Sequence, residues 1–175
     1  MGFLKNERGY SLVELLTVMV ILSFVMSGVT AIFIAGLHSQ ARQTAVFEGQ
    51  TSLHVGLDRL RTDVHAACAE SGQSATSVTL SLPPCDGSRL VTWCTQRNGA
   101  LYSLYRNVGP ACGGEPFADY LTSGSIFAYT PPNVPTGSYA LPRLHIDITI
   151  NAAPKTASAR FHVVDDIAFR NGQRQ

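Results

Sequence analysis

The hydrophobic rhythm of the chain changes twice. From Leu15 to Leu37, 23 consecutive positions carry no formal charge and only a few hydroxyls. A helix rising about 1.5 Å per residue would reach roughly 35 Å over that run, enough to cross a hydrocarbon core of about 30 Å with some tilt. Beyond it the apolar positions thin into a stripe. Val46, Leu53, Leu57, Leu60, Val64 and Ala67 or Cys68 recur at helical spacing, and Gln43, Gln50, Asp58, Arg61, Thr62 and His65 fill other faces. Gly72, after Glu70-Ser71, predicts the helix stop. A rod of about 60 residues, apolar all round at one end and striped at the other, suits a helix held in a membrane and docked on a domain.

From Ser77 the period becomes two. Val78, Leu80 and Leu82 alternate with Thr79 and Ser81 up to Pro83-Pro84. Arg89 to Arg97 and Ala100 to Val108 flank Asn98-Gly99, a strong hairpin signal. A turn on that dipeptide pairs Arg97 with Ala100, Thr95 with Tyr102 and Trp93 with Leu104. Gly109 to Pro116 reads as a loop. Ser125–Thr130, Leu141–Asn151 and Ala157–Phe169 read as further strands, separated by Pro131-Pro132-Asn133 and Ala153-Pro154-Lys155. The fold class is α+β, a long N-terminal helix packed on an antiparallel β-sheet. Its segments are a leader (1–9), a spanning helix (10–37), an amphipathic continuation (38–72) and an exported β domain (73–175).

Charge adds orientation. Lys5 and Arg8 precede the span and only Arg42 follows it closely, so positive-inside logic puts the N-terminus in the cytoplasm and the domain outside. An apolar region this long exceeds that of a cleavable secretory signal, although Ser39-Gln40-Ala41 has the small-x-small form of a cleavage site. Without residues 1–9, 11 basic and 11 acidic residues remain. That balance offers no footprint for nucleic acid.

Glu14 is the one formal charge between Arg8 and Arg42. A carboxylate in a spanning segment costs roughly 2.5–3.5 kcal/mol on insertion scales and reads as functional by default. It belongs to Arg8-Gly9-Tyr10-Ser11-Leu12-Val13-Glu14-Leu15-Leu16, which resembles the processing motif of type IV pilins and type II secretion pseudopilins. The resemblance implies that a membrane aspartic peptidase, prepilin peptidase, cuts after Gly9 and methylates the new amine of Tyr10. It also implies partners in other pilin or pseudopilin subunits and in the inner membrane platform of an assembly machine. The usual first mature residue of the family is phenylalanine; Tyr10 departs from it but keeps an aromatic ring.

The chemistry is consistent with that scheme. Glycine lets the scissile backbone lie extended without a Cβ clash. The freed amine can neutralise Glu14 of a neighbouring subunit, relieving its desolvation and setting axial register. Leu60-Arg61-Thr62-Asp63-Val64, the Asn98-Gly99 hairpin and the closing Ile167-Ala168-Phe169-Arg170-Asn171 resemble J-type minor pseudopilins and related minor pilins. No proline precedes Pro83, whereas Gly28 and Gly36 interrupt the span. Glycines are common in membrane helices and allow close helix packing.

Cys68, Cys85, Cys94 and Cys112 would lie outside the cytoplasm, where disulfides persist. Extending the hairpin register brings Cys85 opposite Cys112 and leaves Cys68 to meet Cys94; buried free thiols are the alternative. Zinc is not expected, because no two cysteines lie within five residues of each other. His38, His54, His65, His145 and His162 are scattered. Asp165-Asp166 is a candidate calcium pair that more often marks solvated surface, and Trp93, Tyr102 and Tyr105 form either a ligand platform or cross-strand packing. No nucleophile elbow, P-loop or dinucleotide fingerprint is present. No catalytic residue, metal or cofactor is assigned. The expected function is a minor pilin or pseudopilin. An anchored binding module, such as a tip adhesin or DNA-uptake subunit, is the alternative, and an exported enzyme lacks a supporting motif.

Overall fold

A computed structural model describes residues 11–131, 141–153 and 159–171. The leader, Gly9, Tyr10, the Pro132-Asn133 and Pro154-Lys155 turn residues and Ala157 lie outside the described residues. The chain divides into two compact units, 1–43 and 44–175. Helix α1 runs Leu12–Ala66. Its first turn forms where the Ser11 carbonyl accepts from the Glu14 and Leu15 amides, at 2.9 and 3.2 Å.

In the second unit, Leu53, Leu57, Leu60 and Val64 form the fully buried stripe that α1 lays on the sheet. Two glycines let it approach closely. A Cβ on Gly56 would meet Phe117 Cβ at 3.3 Å, and one on Gly49 would meet Ala152 Cβ at 3.2 Å. The sheet comprises β1 (Ala69–Ser74), β2 (Ser77–Ser81), β3 (Leu90–Asn98), β4 (Leu101–Val108), β5 (Glu115–Leu121), β6 (Phe127–Thr130), β7 (Arg143–Asn151) and β8 (Arg160–Ala168). Its order is β1-β2-β3-β4-β5-β7-β6, with β8 also on β7, and every pairing is antiparallel. In β7 the buried Leu144, Ile146, Ile148 and Ile150 alternate with more exposed residues, the mark of a strand with one face on the core. Phe169 closes the core edge-on against Tyr129, their rings 5.8 Å apart.

The α+β architecture agrees with the sequence reading, but four details differ. The helix ends at Ala66, not at Gly72. Ala67 still donates to the Asp63 carbonyl, but the Cys68 amide turns to the Ser81 carbonyl at 2.8 Å, and β1 begins. A side chain from the far end of the chain caps the helix: Asn171 donates to the Ala66 carbonyl at 3.2 Å. Gly72 lies in β1 at a break in register between Glu70 and Gly72, a usual place for glycine in a strand.

The hairpin is the second difference. Arg97 pairs with Tyr102, Thr95 with Leu104 and Trp93 with Arg106, so the central turn residues are Gly99-Ala100 rather than Asn98-Gly99. Gly99 has φ +66° while Ala100 stays out of the left-handed region. That is the requirement of a turn with glycine first, whereas an Asn98-Gly99 turn would take Asn98 from the ladder.

The third difference is two strands that the alternation does not announce. In β1 the residues are small or polar, and β5 begins inside the expected Gly109–Pro116 loop. Two register breaks against β4, between Tyr102 and Leu104 and between Leu104 and Tyr105, scramble the period of β5.

The disulfides are the fourth. They join Cys68 to Cys85 and Cys94 to Cys112, not Cys85 to Cys112 and Cys68 to Cys94. Trp93 points at α1, so Cys94, the next strand residue, points away from the helix that carries the chain to Cys68. Cys85, at φ +72° with its amide on the Leu82 carbonyl, turns back towards Cys68. Gly109, Gly113 and Gly114, all at positive φ, flank Cys112 in the loop that covers the outer face of β3.

Candidate functional site

The first unit contains the motif's helical part. From Leu12 to Leu37 every described side chain is exposed, and Glu14 is the only ionisable one. The hydroxyls of this stretch are satisfied within the helix. Thr17, Ser23, Ser27 and Thr30 donate to the carbonyls of Glu14, Val20, Phe24 and Met26 at 2.7–2.9 Å. Such back-bonding is how a helix hides hydroxyls from an apolar medium. Among the described residues the Glu14 carboxylate has no hydrogen-bond partner, and α1 is the one helix long and apolar enough to cross a membrane. A bare apolar surface of this length requires lipid or other helices around it. The carboxylate in its first turn requires a cation, or a proton, once it leaves water.

The second unit fastens its part of α1 to the sheet with an ionic node. Asp63 is 3% exposed. Its Oδ2 accepts from Trp93 Nε1 at 3.0 Å and from Arg106 Nε at 2.7 Å, and its Oδ1 accepts from Arg106 Nη2 at 3.3 Å. Arg59, one turn earlier, lies 3.8 Å from the same carboxylate. The observed register makes this possible, because it sets Arg106 directly opposite Trp93. Sequence inspection shows Asp63 as one more polar residue on the stripe. Its only signal is an acid amid Leu60, Val64 and Ala67 on a face that is otherwise apolar.

The remaining candidates disperse. Asp165 accepts from Arg61 Nε at 2.7 Å, whereas Asp166 lies 2.9 Å from His145 Nδ1. Adjacent strand residues point to opposite faces, so the pair does not converge on a cation. The hydrogen bond to Asp165 is the largest influence raising the Arg61 pKa above its ordinary value. His162 pairs with Asp147 at 2.7 Å across β7 and β8. His38 and His54 are exposed on α1. His65 is held below the usual imidazole range, first by desolvation and then by the nearby Arg170 charge. Trp93 packs against Phe117 in the core with ring centroids 5.1 Å apart and planes tilted by 51°, while Tyr105 pairs with Cys94 on the opposite face and Tyr102 with Arg97, so the three aromatics make no common platform. All four cysteines are consumed in disulfides.

Comparison with known proteins isolates the same N-terminal segment. The family described as prokaryotic N-terminal methylation motif matches residues 4–30. That stretch contains Gly9, Tyr10, Glu14 and the first part of the span; Gly9 and Tyr10 themselves lie outside the described residues. No curated protein and no solved structure matches the chain. The motif indicates a type IV pilin-like or pseudopilin substrate of prepilin peptidase.

Proposed function

We propose that this chain is a minor pilin or pseudopilin: a structural subunit cut after Gly9, methylated on Tyr10, and built into a type II secretion pseudopilus or type IV pilus through its N-terminal helix. The observation that carries the reading is the coincidence of the methylation motif with a span in which Glu14 is the only ionisable side chain. The helix then has two lives. It waits in the inner membrane with the N-terminus cytoplasmic, and later becomes filament core, where the Tyr10 amine of one subunit neutralises Glu14 of the next. Two disulfides in the second unit support an extracytoplasmic domain. The helix docked on an antiparallel sheet, the β3–β4 hairpin and the closing β8 support a place among J-type minor pseudopilins and related minor pilins. The partners in this reading are prepilin peptidase, sister subunits and the inner membrane platform.

Intact mass and N-terminal sequencing of the mature protein test the processing step. N-methylated Tyr10 is the expected start. A chain beginning at Met1 would make it a plain anchor, and one beginning at Arg42 an ordinary secreted protein.

A further inference from the structure

A second kind of site lies along the β4–β5 ladder. Ser103 of β4 is 0% exposed and, among the described residues, its Oγ has no hydrogen-bond partner. Buried hydroxyls are nearly always paired, so an orphan requires an explanation. Ser103 lines a recess of about 220 Å³ together with Asn98, Leu101, Tyr102, Asp119 and Tyr120. Among the described residues the Asn98 and Asp119 side chains are also without hydrogen bonds, and both are exposed.

The backbone explains why the recess exists. Tyr102 pairs with Leu121 and Leu104 with Ala118, so the single residue Ser103 faces two, Asp119 and Tyr120. This is a β-bulge, and its second residue, Tyr120, sits at φ +65°. Bulges re-aim side chains and interrupt the ladder, and they are over-represented beside functional sites. Here the bulge leaves the enclosed Ser103 hydroxyl without a hydrogen-bond partner among the described residues and places the half-exposed Tyr120 at the lip.

We infer that this recess binds a hydroxyl-rich ligand, one pyranose unit of a glycan. The three polar groups set the chemistry. Asp119 only accepts, Ser103 does both, and the Asn98 amide offers two donors and an acceptor. A donor-only ammonium could reach an acceptor on each of the three but would leave the Asn98 amide hydrogens and the Ser103 hydroxyl hydrogen without an acceptor, whereas neighbouring hydroxyls, which donate and accept, satisfy both halves. Ligand pockets run from about 300 Å³ upward, so a recess below that size suits a single ring. Tyr120 supplies an aromatic face for the apolar side of the ring. Asp119 and Tyr120 also line a groove of about 330 Å³ that reaches Glu48 and Ser52 of α1, which leaves room for a second unit.

The test uses the full-length chain in a detergent without a sugar headgroup. Saturation-transfer NMR is recorded with glucose, galactose, mannose and N-acetylglucosamine, each at about 10 mM, where weak carbohydrate binding registers. At least one sugar is expected to give transfer, and Ser103→Ala and Asp119→Asn are each expected to weaken it by about tenfold. Ser103→Ala should leave the melting temperature unchanged or raised, because it removes an unpaired buried hydroxyl rather than a structural bond. Asp119 is exposed, so Asp119→Asn keeps the fold and decides the matter if Ser103→Ala does not fold. No transfer from any of the four sugars overturns the inference, as does transfer that survives Asp119→Asn, or transfer confined to a butylammonium probe.

Discussion

Asp63 and Arg106 meet through two hydrogen bonds, 2.7 Å from Nε and 3.3 Å from Nη2, at the boundary between α1 and the sheet. The acid is nearly sealed, and the guanidinium side chain is 14% exposed. A pair in this position is not a simple gain, because both ions lose water to form it. Its asymmetry is more informative: losing one partner strands the other.

Removal of the carboxylate should therefore cost more than removal of the pair. Asp63→Ala is expected to lower stability by about 3–5 kcal/mol, since it leaves Arg106 buried without its anion and Trp93 Nε1 without an acceptor. Asp63→Ala combined with Arg106→Met should recover part of that loss. Trp93 is the only tryptophan of the chain, so its fluorescence during urea unfolding reports on this node directly. A single variant within about 0.5 kcal/mol of wild type would show the node to be peripheral.

Peptide mapping under non-reducing conditions should return Cys68–Cys85 and Cys94–Cys112. The sequence separations are 17 and 18, loops whose closure contributes about 3 kcal/mol each in the chain-entropy model. Cys94→Ser with Cys112→Ser should lower stability by about that amount. A Cys85–Cys112 peptide would instead restore the pairing that the hairpin arithmetic suggests.

That arithmetic shows where sequence and fold part company. The rod, the stripe from Leu53 to Val64 and the alternation of β7 are legible because periodicity is a property of one segment. The helix stop is not. It depends on Cys68 meeting Ser81 and on Asn171 reaching Ala66, contacts between distant segments. The hairpin dipeptide is visible, yet its position in the turn depends on which central residue takes positive φ, and that moves every cross-strand partner by two residues. With the register moved, Arg106 rather than Leu104 faces Trp93, and the Asp63 node appears. Glu14 stands at the other extreme: a lone charge in an apolar run needs no tertiary context to be noticed.

The pH response of His65 has a definite sign. Burial and the Arg170 charge favour its neutral form, so its folded pKa lies below the ordinary 6.5. Between the two midpoints the unfolded chain binds more protons than the folded one, and stability falls as pH drops through that window. Above it both states are neutral and the contribution vanishes. An NMR titration should place the His65 midpoint below 6.5, and His65→Gln should flatten the acid side of the stability curve. A midpoint at or above the ordinary value would contradict the desolvation argument.

Glycine at position 56 is a packing requirement. A Cβ there would sit 3.3 Å from Phe117 Cβ and 3.7 Å from the Phe117 carbonyl oxygen. Alanine would gain about 1 kcal/mol of helix propensity and lose a comparable amount to crowding. Gly56→Val removes that ambiguity, since a branched side chain adds further volume and no propensity to match. A loss of about 1–3 kcal/mol is expected, together with a change in the fluorescence of Trp93, which packs on Phe117 at 5.1 Å. Wild-type stability in this variant would mean that α1 does not need its close approach to β5.

Glu14 carries the assembly prediction. Its side chain is exposed at the first turn of α1 and has no partner among the described residues, so its removal breaks no bond described within the subunit. Under the proposed processing, Glu14→Ala should therefore insert into the membrane and be cut after Gly9 at the wild-type level. Insertion should even be easier, because a carboxylate costs roughly 2.5–3.5 kcal/mol in the apolar phase. What the variant would lack in the proposed filament is a counter-charge for the amine of Tyr10 on the neighbouring subunit, and stranding one member of a buried pair costs about 3–5 kcal/mol. Each 1.4 kcal/mol is a tenfold change in an equilibrium, so incorporation into sheared filaments should fall by about a hundredfold or more relative to the processed membrane pool. Glu14→Gln separates charge from shape: it retains a hydrogen-bond acceptor and should incorporate between the two extremes. Native incorporation of Glu14→Ala would remove the carboxylate from the assembly step and leave the motif with a role in processing alone.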